Sequence, residues 1–147
     1  MRGILVKVAM AGIAPILFIS YTTAPLVTHI HVHLPTGARA SRALLERFVA
    51  AMPASTRLTF TTMSLIGKPR YSSVTVGDLR PAQGRRLGLV NYVRDTGDEN
   101  ATRKWYMYRA VGGFYVQEGL EKGKRYGRKG KVDGWIWDAV REKVSGR

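Results

Sequence analysis

The stretch RLTFTTMSLIGKPRYSSVTV, residues 57–76, decides the fold of this chain. Its first half, Arg57 to Ile66, is rich in β-branched and aromatic residues, which is typical of a strand. The GKPR that follows predicts a turn, because glycine and proline fix the backbone there. Tyr71 to Val76 is then the returning strand. The sequence therefore predicts a β-hairpin whose tip carries Lys68 and Arg70.

Upstream of the hairpin, the sequence predicts one more strand and one helix. Thr28 to Leu34 alternates strictly, so a strand there places three histidines on one face and apolar side chains on the other. Ser41 to Met52 has apolar residues at helical spacing, which predicts an inserted amphipathic helix packed on the core, or alternatively lying on a membrane surface. The histidines have a spacing that suits zinc, but no cysteine or nearby acid completes a ligand set, so we expect a polar strand face. They are His29, His31 and His33.

Downstream of the hairpin, three further strands are predicted, at Leu87 to Val93, Lys104 to Val111 and Phe114 to Gln117. The polar loop between the first two holds the densest acidic cluster of the chain, Asp95, Asp98 and Glu99. Paired carboxylates could perform acid–base or metal chemistry. The same residues are ordinary loop formers and helix caps, and we expect them to be structural.

A final helix is predicted from Gly134 to Val144, with Asp133 as its N-cap. Trp137, Val140 and Val144 recur at helical spacing, so they share the face that packs on the core. The chain thus alternates short strands with two amphipathic helices.

Before these elements, residues 4–27 (ILVKVAMAGIAPILFISYTTAPLV) form the most apolar part of the chain. Val8 to Val27 is uncharged for 20 consecutive residues, about the length that an α-helix needs to cross the ~30 Å hydrocarbon layer of a bilayer. A buried helix and a cleaved secretory signal are the alternatives. Pro15 and the hydroxyl groups of residues 20–23 indicate a membrane helix that pairs with another helix.

The rest of the chain is strongly basic. The formal net charge is +14, from 24 Lys and Arg against 10 Asp and Glu, and every charged residue except Arg2 and Lys7 follows Pro35. This balance indicates an acidic partner, such as RNA, an anionic lipid surface or an acidic protein face. Basic residues beside a membrane helix stay on the cytoplasmic side or its equivalent, the mitochondrial matrix, which sets the expected orientation.

The residues expected to bind phosphate, RNA or lipid headgroups are cations in turns and loops, with one tyrosine that could stack on a base. They are Lys68, Arg70, Arg85, Arg86, Lys122, Lys124, Arg125, Tyr126, Arg128, Lys129 and Lys131. The sequence contains no cysteine, no Walker loop and no Ser–His–Asp arrangement. We therefore expect no enzyme activity, no cofactor and no metal.

Three motifs in order resemble a known family. TAPLV ends the apolar span, LTFTTMS precedes the Gly-Lys turn, and VTVGDLRP ends at Pro81. From about Ala24 to Pro81 the chain resembles the mitochondrial inner-membrane family of transmembrane protein 70 and its relatives, which includes fungal proteins thought to hold the mitochondrial ribosome at the membrane. The resemblance implies a membrane hairpin with a matrix domain that acts, without catalysis, in respiratory-complex assembly or at the ribosome. The family carries two membrane helices, whereas one fits before residue 28 here, and the helix at Ser41 to Met52 is an insertion.

The expected fold is therefore α+β. A transmembrane helix at residues 4–27 precedes a matrix-facing basic domain at residues 28–147, built from a small, mostly antiparallel sheet, the inserted amphipathic helix and the C-terminal helix. The expected function is non-enzymatic binding of the mitochondrial ribosome, through its RNA, or of nascent respiratory-chain subunits at the inner membrane, in support of complex assembly. The alternative is a stable structural or accessory subunit of a mitochondrial membrane or ribosomal complex.

Overall fold

The computed structural model describes residues 2–64, 66–85, 88–117 and 134–146, and for residues 2–6, 8–10 and 83–85 it describes the backbone alone. The helices are α1 (Arg2–Thr23), α2 (Arg42–Ala50), α3 (Gly97–Ala101) and α4 (Gly134–Ser145), with a 3-10 turn at Thr36–Arg39. The strands are β1 (Val27–Val32), β2 (Arg57–Met63), β3 (Pro69–Thr75), β4 (Arg80–Arg85), β5 (Val90–Val93) and β6 (Gly113–Phe114). The predicted α+β class with small antiparallel sheets is confirmed.

Among the described residues, two three-stranded antiparallel sheets form the body, in the orders β1-β2-β3 and β4-β5-β6. A parallel bridge between Leu26 and Tyr115 connects them. The amide of Val27 donates to Tyr115 O (2.9 Å), and the amide of Tyr115 donates to Pro25 O (2.8 Å). The residues that follow α1 are therefore bonded to both sheets.

The predicted hairpin is confirmed. Strands β2 and β3 pair from Arg57 opposite Thr75 to Met63 opposite Pro69. Gly67 closes the tip with a φ of 75°, a left-handed conformation that side chains with a Cβ rarely adopt. Its amide donates to Ser64 O (2.9 Å), which fixes the turn between the two strands.

The core is a cluster of aromatic rings between the sheets and α4. Phe60 lies edge-on to Phe114, with ring centroids 4.8 Å apart, and Trp137 contacts both Phe60 (5.9 Å) and Tyr92 (5.4 Å) in the same manner. Phe60 and Phe114 are fully buried. Such edge-on pairs add about 0.5–1.5 kcal/mol each to the stabilisation from burial.

The two amphipathic helices cover this cluster largely as predicted. Val140 and Val144 of α4 are buried, and Trp137 packs against them. In α2, Val49 faces the core, while Leu44, placed in the same stripe by the sequence, is 43% exposed. Ser41 accepts a hydrogen bond from the amide of Leu44 (3.3 Å), so Leu44 lies in the first turn of the helix.

The N-terminal apolar stretch forms α1, which ends at Thr23. Every side chain from Ala11 to Ile19 is exposed. The hydroxyls of Thr22 and Thr23 both donate to Ile19 O (2.9 and 2.8 Å), so they satisfy a carbonyl near the C-terminus of the helix. Over the described residues, none of the helices combines the length and the apolar character needed to cross a membrane.

Two local predictions were wrong. Residues 104–111 form turns and extended loop instead of a strand, because their backbone bonds to arginine side chains from elsewhere rather than to a neighbouring strand. Arg85, expected among the cations of turns and loops, lies in strand β4, Arg80–Arg85. Pro81 is tolerated there because β4 lies at the end of the sheet order, where one side of a strand needs no donor.

Phe60, which contacts two other rings of the core, contributes to the free energy of unfolding of the body. Phe60→Ala removes both edge-on contacts and leaves a cavity, so we expect the free energy of unfolding to fall by about 3–5 kcal/mol. Denaturant titration of the purified chain measures this. Tyr71→Ala, which removes an exposed aromatic ring on β3, is the control and should change the value by less than about 0.5 kcal/mol.

Candidate functional site

Residues 94–112 leave β5 and return to β6 as a long loop that contains α3. Its middle, residues 104–109 (KWYMYR), exposes three aromatic rings to solvent; we call it the aromatic loop. Trp105 is 95% exposed and Tyr108 is 71% exposed, with Tyr106 and Met107 also open. Large aromatic side chains normally pack in a core or an interface. The exposure of three such rings in one loop therefore makes the loop a candidate contact surface.

A buried arginine fixes the base of the aromatic loop. The side chain of Arg94 is 10% exposed, and its Nη2 lies 2.8 Å from Glu99 Oε2. Its Nε donates to Val111 O (2.9 Å) and its Nη1 donates to Ser73 O (3.1 Å). One guanidinium therefore joins β3, α3 and the returning end of the loop.

Two further arginines hold the loop at its rim. Arg103 pairs with Glu99 Oε1, and its Nη1 donates to Tyr108 O (2.5 Å). Arg70 on β3 donates to Arg109 O (2.6 Å), and its guanidinium lies over the ring of Tyr108, 5.4 Å from the centroid. We call the set Arg70, Arg94, Glu99 and Arg103 the arginine clamp.

The arginine clamp bonds to backbone carbonyls of the loop, so it determines the loop conformation rather than presenting free cations. Carbonyl oxygens of Tyr108, Arg109 and Val111 each receive a guanidinium donor. An open cleft of about 370 Å³ remains between β3 and the loop. The backbone of residues 108–111 is thereby fixed, and the aromatic rings next to it lie exposed.

The positive charges around the carboxylate of Glu99 favour its ionised form. Burial alone raises the pKa of Glu99, but the hydrogen bond from Arg103 and the positive charges of Arg94 and Arg103 outweigh burial. The net result is a pKa below the ordinary value of 4.5. Glu99 therefore remains charged at neutral pH and balances one of the guanidinium charges.

Strand register places the aromatic loop at the end of the body where α1 enters. Val27 lies opposite Thr62, and Thr62 lies opposite Arg70, whose side chain bonds to the loop. Neighbouring strands are about 4.8 Å apart, so this path covers about 10 Å. The hairpin tip extends past the same point and exposes Ile66 and Lys68. We call the hairpin tip, Leu26 and the aromatic loop the proximal end.

The opposite end of the same strands carries exposed arginines. The connection from β1 to β2, residues 33–56, lies there, because Val32 pairs with Leu58. Arg39, Arg47 and Arg57 are exposed. We call this the distal end; it also contains an exposed ion pair between Arg42 and Glu46 (3.0 Å) and the carboxylate of Asp78 near the end of β3.

Of the sequence-predicted site residues, Lys68 and Arg70 are described with their side chains. Lys68 is exposed at the hairpin tip, and Arg70 belongs to the arginine clamp. Arg85 lies in β4 opposite Val90, but its side chain, Arg86 and residues 122–131 lie outside the described residues. The sequence reasoning missed the aromatic loop, although three aromatics between Lys104 and Arg109 are a signal for such a surface.

The histidines and acidic residues have local structural partners. The rings of His29 and His31 stack on the exposed face of β1, and His33 hydrogen-bonds Thr59 (2.7 Å). Asp95 accepts from the amide of Gly97 (2.8 Å). Within the described part of the chain, no group of three or more His, Cys, Asp or Glu is arranged to hold a metal ion.

Comparison with known proteins gives no match, whether by family model, among curated proteins or among solved structures. The resemblance to the transmembrane protein 70 family stays a prediction that rests on residues 24–81.

The lowered pKa of Glu99 makes the stability of the loop region pH-dependent. The ionised carboxylate stabilises the folded state above the unfolded pKa, and this stabilisation is lost as the pH falls through the lower folded pKa. Glu99→Gln should reduce the free energy of unfolding at pH 7 by about 1–3 kcal/mol, because Arg94 loses a partner. The free energy of unfolding of this variant should also fall less between pH 7 and pH 3 than that of the natural chain, because the variant lacks the titrating carboxylate. Denaturant titrations from pH 7 to pH 3 measure both effects.

Glu46→Gln is the matched control, since its ion pair with Arg42 is exposed on both sides. It should change the unfolding free energy by less than about 0.5 kcal/mol. Equal effects of the two substitutions would contradict the role of Glu99 in the clamp.

Proposed function

We propose that this chain is a non-enzymatic protein of the mitochondrial inner membrane. In this proposal α1 lies in the bilayer and the basic domain lies in the matrix. The domain binds the mitochondrial ribosome through its RNA and thereby keeps nascent respiratory-chain subunits at the membrane during complex assembly.

The membrane location is supported by the sequence and surroundings of α1. Val8 to Val27 is uncharged, and the consecutive residues Ile16, Leu17 and Phe18, which point in directions about 100° apart around the helix, are all more than half exposed. An apolar helix without a polar face gains stability from an apolar environment. The threonine bonds to Ile19 O suit a helix end in the bilayer, where unsatisfied carbonyls are costly.

The ribosome proposal is supported by the different side chains that the proximal and distal ends expose. Apolar and aromatic side chains are exposed at the proximal end, next to α1. The distal end exposes Arg39, Arg47 and Arg57, which lie away from the proposed membrane, whereas the exposed cations of the proximal end lie among aromatic and apolar side chains. A net charge of +14 attracts a polyanion, and RNA phosphates are the polyanion that a matrix-facing domain meets at a ribosome.

The cations outside the described residues add to this proposal. Arg85, Arg86 and the six cations of residues 122–131 remain predicted phosphate ligands, with Tyr126 as a predicted stacking residue. The mitochondrial location comes from the family resemblance, and the matrix orientation comes from the tendency of basic segments to stay on that side of the membrane.

The distal arginines are tested by a charge-matched pair of triple variants. Arg39→Gln, Arg47→Gln and Arg57→Gln together should weaken co-sedimentation with mitochondrial ribosomes, and should lower the slope of log affinity against log salt by about 2–3. Lys68→Gln, Lys104→Gln and Arg109→Gln together remove the same charge from the proximal end, and should leave the slope unchanged.

Equal losses in both triple variants would show that net charge alone matters. Stoichiometric binding that persists in high salt would contradict phosphate contact and favour a stable structural subunit. Carbonate extraction of mitochondrial membranes, combined with protease protection, tests the membrane part separately: release of the chain into the carbonate supernatant would contradict an integral α1.

A further inference from the structure

We infer that the proximal end is a lipid-docking surface, on which the aromatic loop and the hairpin tip contact the anionic headgroup layer of the membrane that holds α1. The inference rests on the proposed location of α1. It assigns an occupant to an exposed surface that RNA binding at the distal end leaves unused.

The side chains of this surface have the chemistry of the membrane interface. Trp105 and Tyr106 are amphipathic rings of the kind that concentrate at headgroup depth. Met107 and Ile66 add exposed apolar groups at the same end of the body, and Ile66 is 65% exposed. In water the apolar groups of this surface stay hydrated, whereas in the membrane interface they are removed from water, which is favourable.

The charges of the surface match an anionic layer. Lys68, Lys104 and Arg109 are exposed, and the ammonium group of Lys104 lies 5.9 Å from the ring centroid of Tyr106. Lys and Arg side chains near an anionic bilayer are attracted to its surface. The connection formed by residues 94–112 also contains three acids. Glu99 is paired with two arginines, while Asp95 and Asp98 are exposed and offset part of the attraction.

The chain length between α1 and β1 keeps the proximal end close to the bilayer. Thr23 ends α1 and Val27 begins β1, so residues 24–26 are the only connection. Three extended residues reach about 11 Å at most. Pro25 is fully buried in the body, which shortens the usable reach further. If α1 is in the membrane, the hairpin tip that extends past Val27 must lie at or near the headgroups.

The arginine clamp prepares the loop for this contact. Because Arg70 and Arg103 bond to the carbonyls of Arg109 and Tyr108, the backbone at the C-terminal end of the aromatic loop is fixed before binding. A preorganised loop loses less conformational entropy on docking than a mobile one. RNA stacking on Trp105 is the competing use of the same rings, but the bilayer beside α1 leaves little room for a ribosome at this end.

The fluorescence of Trp105 tests this inference. It is measured on the full chain in vesicles that contain anionic lipid. Quenching by lipids brominated near the headgroup is compared between the natural chain and Trp105→Phe, so that the difference isolates Trp105 from Trp135 and Trp137. We expect the Trp105 signal to be quenched by the brominated lipid and protected from acrylamide in the water. The triple variant Lys68→Gln, Lys104→Gln, Arg109→Gln should lose part of this quenching in anionic vesicles and none of it in zwitterionic vesicles.

The outcomes separate this inference from the proposed function. If Trp105 remains open to acrylamide while the chain resists carbonate extraction, lipid docking is wrong and the membrane helix stands. Protection of Trp105 that appears only on addition of RNA also overturns the inference and assigns the loop to RNA stacking. Headgroup quenching of a chain that carbonate releases supports the docking surface and contradicts the integral helix.

Discussion

The guanidinium of Arg94 is the interaction on which the surface of this protein depends. A cation that is nine-tenths buried is stable only if its donors and its charge are matched. Here β3 and the end of the loop supply carbonyls, through Ser73 and Val111, and α3 supplies the carboxylate of Glu99. Because the partners come from three segments, this one side chain sets the position of the loop against the sheet, and Arg70 and Arg103 complete the arrangement.

The strand register determines at which end of the body the loop lies. Val27, Thr62 and Arg70 lie side by side, so the loop and the hairpin tip share the end at which α1 joins the body. The same antiparallel pairing sends residues 33–56 to the other end. A surface of exposed aromatic and apolar groups and a surface of exposed arginines are thereby kept apart, which suits a protein that contacts a bilayer on one side and a polyanion on the other.

Elements with a strong local pattern could be predicted from the sequence. The β2–β3 hairpin follows from its β-branched runs and its Gly-Pro turn, and α2 and α4 follow from apolar residues at helical spacing. The three aromatics of KWYMYR are a signal for a contact surface, but the conformation of the aromatic loop could not be predicted, because the same composition is typical of a strand. That conformation depends on arginines outside the loop, such as Arg70, which is 39 positions away from its partner Arg109, and no local pattern records such a contact. The two ends of the body likewise emerge only once the register is known.

The orientation of the body is measured most directly by its depth relative to the bilayer. The chain contains no cysteine, so single Ile66→Cys and Arg47→Cys variants each carry one spin label, one at the hairpin tip and one at the distal end. Electron paramagnetic resonance in nanodiscs compares the access of each label to lipid-soluble oxygen and to a water-soluble nickel complex. The account predicts a label at residue 66 at headgroup depth and a label at residue 47 in water. Full access of nickel to both labels would contradict it.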